Sequence, residues 1–157
     1  MDVYVIRHGK AEDQSESGLD RDRALRKKGR RQSEWLGEWI SGGAELPAMV
    51  LASPYVRAQQ TGEAIWRSLG MEAQTDDRLG AERSLSDVID VLHDARGAGC
   101  VALVGHNPNC ARLVSALCRG LTAMPGGHRT GELAHVRVDG DRLIGDGTLI
   151  ERVRMGD

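Results

Sequence analysis

Three short, almost wholly apolar runs, residues 3–6, 48–52 and 100–104, each end in a polar turn and are separated by segments with helical spacing. A continuous apolar run of that length suits a strand buried on both faces, which is the signature of a parallel sheet covered by helices. The intervening segments fit. From 28 to 40 the residues Trp35, Leu36, Trp39 and Ile40 recur on one helical face, and Gly42-Gly43 stops the helix. Ser53-Pro54 predicts a helix start, with Ser as cap and Pro in the first turn, running to Leu69 before Gly70. Leu85, Val88, Ile89 and Leu92 mark a further helix over 84–95. Pro108 is read as the first residue of another, ending near Cys118. Two late runs, 133–138 and 143–153, flank Asp139-Gly140 and predict a hairpin that adds antiparallel edge strands. The expected fold is a single α/β domain over 1–157, three-layered α/β/α with a mostly parallel central sheet.

The formal net charge is -2 and both signs are mixed along the chain, which argues against a nucleic-acid or membrane surface. Arg26-Lys27-Lys28 and Arg30-Arg31 read as a solvated helix start. No apolar run reaches membrane-spanning length and the first residues do not form a signal peptide, so a cytoplasmic protein is expected. Cys100, Cys110 and Cys118 are odd in number and lack metal-ligand spacing, and so read as reduced packing residues. With no Phe, the core must come from aliphatic side chains and Trp35, Trp39 and Trp66.

In open α/β sheets ligands bind beyond the carboxyl ends of the strands, and the chemistry of this sequence gathers there. Arg7-His8-Gly9 follows the first strand, Ser53-Pro54 with Arg57 follows the second, and Gly105-His106-Asn107-Pro108 follows the third. A neutral imidazole is a competent nucleophile toward phosphorus, and Arg supplies a permanent charge with forked donors. Gly9 would let a ligand approach the backbone closely. Arg57 and His106 each stand at the N-terminal end of a helix, where anions are favoured. Two Arg, two His and two helix N-termini can therefore converge on one small anion, most naturally a phosphoryl group.

Taken together, Arg7-His8-Gly9, Ser53-Pro54 with Arg57, Gln60 and Thr61, and Gly105-His106-Asn107-Pro108 resemble the histidine phosphatase superfamily, in particular its short phosphohistidine phosphatases of the SixA type. Asp22-Arg23-Ala24-Leu25, leading to Lys28-Gly29, resembles that branch as well, so the likeness spans residues 1 to about 135. The resemblance implies a phosphoglycerate mutase-like fold with His8 as nucleophile. It implies that Arg7, Arg57 and a protonated His106 stabilise the transferring group, and that Arg23, Asn107 and Gly9 contribute to substrate binding. No cofactor and no metal are implied, and the partner would be a phosphohistidine-bearing signalling protein or a small phosphorylated substrate. The chain is expected to be a monomer.

Many members of the superfamily carry a carboxylic acid that protonates an ester leaving group. Asp76, Asp77, Glu82 and Asp87 lie in the corresponding region, with Glu82 best placed by order, although it also reads as a surface or capping carboxylate. Without such an acid, phosphohistidine is the favoured substrate, because an alkoxide needs a proton far more than an imidazole does. The short interval from 58 to 105 leaves no room for a lid, which predicts an open, shallow pocket suited to a side chain presented by another protein. A phosphatase of small esters or sugar phosphates and a non-enzymatic phosphoprotein-binding module are the other readings. His93 reads as structural, and His128 and His135 approach the site only if the loop 125–130 folds over it.

Overall fold

The computed structural model describes residues 1–156. Five strands form one sheet in the order β2-β3-β1-β4-β5: β1 (Asp2–Arg7), β2 (Met49–Ala52), β3 (Cys100–Gly105), β4 (Glu132–Val138) and β5 (Gly147–Arg154). Pairings β1–β3 and β2–β3 are parallel, whereas β1–β4 and β4–β5 are antiparallel. The hairpin expected near the C-terminus therefore contributes one strand to the sheet interior and only β5 to the edge. Its connection covers 139–146 rather than the two residues Asp139-Gly140, because Leu143 turns inward and is buried.

Alternation along β1 divides the core in two, since successive side chains of a strand face opposite ways. Val3 and Val5 join Val101 and Leu103 against α3 (Leu85–Asp94) and α4 (Asn109–Arg119). Tyr4 and Ile6 join Ala102 and Val104 against α1 (Lys27–Ser41) and α2 (Val56–Leu69). All three tryptophans pack on this second side, where large rings fill the volume that an absent Phe would otherwise supply. Helices on both faces explain why β1 and β3 read as uninterrupted apolar runs.

Two predicted helix starts are displaced. Helix α2 begins at Val56 with Tyr55 at its cap position, so neither Ser53 nor Pro54 plays the expected part. Ser53 is buried instead, because its hydroxyl bonds to His106. Pro108 precedes α4, which starts at Asn109, and the Asn107–Pro108 peptide is cis. By contrast Ser84 does cap α3, in a reciprocal box with Asp87.

Gly9 also has a part in the fold. A Cβ there would stand 2.6 Å from the carbonyl oxygen of Gly29, and one on Gly29 would stand 2.1 Å from that of Lys10. The two glycines let the first turn of α1 lie directly on the chain leaving β1, so it is a helix backbone that approaches Gly9 closely. The amide of Gly9 is used by Thr61 Oγ1, at 3.0 Å, which fixes the same segment to α2.

Candidate active site

Strand register assembles the site. Arg7 pairs with Gly105, the amide of His8 donates to Gly105 O at 3.1 Å, and the amide of Ser53 donates to Val104 O at 3.0 Å. The residues following β1, β2 and β3 thus emerge side by side. His8, Arg57 and His106 are almost fully covered, at 6%, 4% and 5% exposure, so their chemistry is set by one another rather than by bulk water.

His8 Nδ1 lies 2.8 Å from Gly9 O. A carbonyl oxygen only accepts, so Nδ1 carries the proton and Nε2 of the neutral ring holds the lone pair. Arg57 Nε donates to that Nε2 at 3.3 Å. Burial, reinforced by Arg57, Arg7 and Arg23 and opposed by the Gly9 bond, pushes the His8 pKa down to about 4. The ring is therefore neutral near pH 7.

The His106 ring is centred 5.2 Å from that of His8, and its Nε2 lies 2.8 Å from Ser53 Oγ. Burial, with His8 and Arg57 adding to it, lowers its pKa to about 3. The protonated His106 expected from the sequence is consequently neutral here. Protonation requires an anion brought alongside it, since the charges around the ring are mostly positive.

Arg7 donates through NH1 to His128 O at 3.0 Å, and Asn107 donates through Nδ2 to the same oxygen at 2.8 Å. The loop 125–130 therefore does reach the site, but through the main chain of His128. The imidazole of His128 faces away, its Nε2 3.1 Å from Glu132 O. His135 sits at the other end of β1, 2.6 Å from Asp2, and His93 is exposed on α3. Arg7 Nε, His106 Nδ1 and Asn107 Oδ1 are buried without a protein partner, an arrangement that costs stability unless a ligand supplies bonds.

Arg23 approaches from the first loop, donating to Asp20 Oδ1 at 2.8 Å and to Glu12 O at 2.7 Å. Glu82 lies at the rim, where it accepts from Tyr55 OH at 2.5 Å. Tyr55 in turn places its ring edge on His106, centroids 4.9 Å apart, and its face 5.1 Å from the Arg57 guanidinium. The Tyr55 bond holds the Glu82 carboxyl below its ordinary range, which suits an acceptor better than an acid.

Reading the strand ends alone overlooks Asp20, Tyr55 and the His128 carbonyl. Asp20 stands in the polar, acidic stretch 11–22, whose composition reads only as a loop, and a main-chain carbonyl leaves no mark in a sequence. That loop, not an insertion between later motifs, brings Asp20 onto Arg57 beside His8. A separate void of about 10 Å³, lined by Val5, Leu79, Val88, Leu103 and Leu113 and bordered by His106, lies within the core between the sheet and α3 and α4 rather than over His8. A recess of about 600 Å³ lies in the first loop, lined by residues that include Asp20 and Arg23. Among the described residues no cluster of three or more His, Cys, Asp or Glu could hold a metal ion, and no helix is long and apolar enough to cross a membrane.

The model of the histidine phosphatase superfamily (branch 1) matches residues 3–94, which carry the first two strand ends and their helices. The chain belongs to this superfamily. It is 29% identical to the phosphohistidine phosphatase SixA of Escherichia coli over 144 residues, 88% of this chain and 86% of that protein. A solved structure of SixA complexed with tungstate is 28% identical and superposes with a TM-score of 0.84, over 98% of this chain and 97% of the other. A mycobacterial glucosyl-3-phosphoglycerate phosphatase shares the fold at 15% identity, with a TM-score of 0.75, covering 96% of this chain and 97% of its own. One fold thus accommodates proteins named for different phosphorylated substrates.

Proposed function

We propose that the protein is a phosphatase that transfers a phosphoryl group to His8 and then to water, and that its substrate is phosphohistidine on a partner protein. The observation that carries this reading is the tautomer of His8: the Nδ1–H bond to Gly9 O leaves Nε2 unprotonated, its lone pair facing Arg57. In the first step Nε2 attacks phosphorus as the N–P bond of the substrate breaks, its electron pair staying on the leaving nitrogen, which takes a proton from solvent water. In the second, water attacks phosphorus as the bond to Nε2 breaks, the proton lost by that water passes to solvent, phosphate departs, and Nε2 regains its lone pair. Arg57, Arg7 and Arg23 offset the negative charge spread over the phosphoryl oxygens, which is the largest contribution a site of this kind makes. His106 gains a proton only as that charge arrives beside it. No metal is assigned a part.

The substrate class follows from the lack of a protonated carboxyl. Glu82 is ionised at the rim, so a leaving group that departs readily is favoured, and an imidazole does so more easily than an alkoxide. Homology to SixA supports the same substrate. A phosphatase of small esters is the second reading, favoured by the bond that ties the Glu82 carboxylate to the hydroxyl of Tyr55, whose ring packs on His106.

The deciding experiment compares phosphate release from a phosphohistidine-bearing phosphotransfer domain and from an aryl phosphate, for wild type and His8→Ala, with a chelator present. Rapid release from the protein substrate that disappears in His8→Ala supports the proposal. Preference for the ester transfers the assignment to the second reading. Failure to trap an acid-labile phosphoenzyme with either substrate would leave only a binding module.

A further inference from the structure

Asp20 belongs to the short turn Asp20–Asp22 in the first loop, yet it is tied to the site by both its main chain and its carboxylate. Its Oδ1 accepts from Arg23 Nε at 2.8 Å, its Oδ2 from Arg57 NH2 at 3.1 Å, and its main-chain oxygen from Arg57 NH1 at 2.8 Å. With Arg57 Nε on His8, every nitrogen of that guanidinium has a protein acceptor. The Arg57 side chain is 4% exposed and the Asp20 side chain 59%. Arg57 therefore depends on protein partners, whereas the carboxylate can turn into water at small desolvation cost. The loop keeps Asp20 in place by its own bonds, Ser15 Oγ to Leu19 O and Ser17 Oγ to Asp22 Oδ2, both 2.7 Å.

We propose that Asp20 is a positioning residue that aligns Arg57 and Arg23 and competes with phosphoryl oxygens for them, so that it sets the oxyanion affinity of the site. The inference rests on the reading above that these arginines receive the phosphoryl group. A single carboxylate charge yields to a doubly charged phosphoryl group presented to both cations. It also opposes retention of product phosphate, which the same cations would otherwise hold.

The test is titration of tungstate and inorganic phosphate into wild type, Asp20→Asn, Asp20→Ser and Asp20→Glu by calorimetry, with kcat and KM measured alongside on phosphohistidine substrate. Removing the competing charge should tighten tungstate binding about three- to tenfold and lower KM without a matching rise in kcat, while Asp20→Glu returns binding toward wild type. A folded Asp20→Asn or Asp20→Ser that binds tungstate equally well or more weakly overturns the inference, since Asp20 would then be a strut only. Wild type that binds no oxyanion overturns both this inference and the proposed function. Wild type that binds tungstate and dephosphorylates phosphohistidine, beside unchanged Asp20 variants, overturns this inference alone.

Discussion

Arg57 Nε donates to His8 Nε2 across 3.3 Å, so the lone pair proposed to attack phosphorus is already oriented by the cation that would receive the phosphoryl oxygens. Attack requires Arg57 to exchange that bond for a phosphoryl oxygen. His8→Ala should therefore abolish turnover, and Arg57→Ala should lower kcat/KM by about 10²–10³-fold, as for loss of one preorganised donor. Single-turnover phosphate release measures both, and a His8→Ala protein that still turns over would refute the role given to the ring.

The low pKa of His8, about 4, separates catalysis from the ordinary histidine range. The proposed nucleophile stays neutral as pH falls from 7 to 5, so kcat/KM should show no limb from free-enzyme His8 near 6.5 and should fall only near 4. A bell with its acid limb at 6.5 would contradict the burial argument.

Stability should respond in the opposite region. His8 and His106 have folded pKa values near 4 and 3, below the unfolded value of about 6.5, so the unfolded chain binds more protons in between. Stability is full above the unfolded pKa and declines as pH falls through that window. Thermal melts from pH 7.5 to 4.5 should show a falling Tm, and His106→Asn should flatten the slope.

Glu82 is held ionised by Tyr55 at the rim. Glu82→Gln should change phosphohistidine turnover by less than about threefold, whereas a true general acid contributes about 10²–10⁴-fold. Comparing the variant on phosphohistidine and on an alkyl phosphate reads this directly, and a large loss on the alkyl phosphate would restore Glu82 as the acid.

Gly29→Ala should destabilise the fold, because its Cβ would meet Lys10 O at 2.1 Å. Forcing the first turn of α1 away from the end of β1 should cost about 1–3 kcal/mol, the range for overpacking. Urea unfolding provides the measurement, and unchanged stability would mean that the close helix approach has been misread.

The sequence by itself determined the parallel strands, the four helices and the strand-end positions of Arg7, His8, Arg57 and His106. Those features are local: buried strands and amphipathic helices repeat at fixed periods, and strand ends follow from them. It misplaced the helix-start roles of Ser53 and Pro108: Ser53 is engaged by His106, distant in the chain, and Pro108 closes the β3–α4 turn one residue before the helix begins. The order β2-β3-β1-β4-β5, which seats His8 beside Gly105, was not legible either, since the periodicity of a strand does not name its neighbour. Only the tertiary structure decided the charge of the two histidines and brought Asp20 onto Arg57. Both depend on burial and on three-dimensional proximity, which the spacing of residues along a chain does not encode.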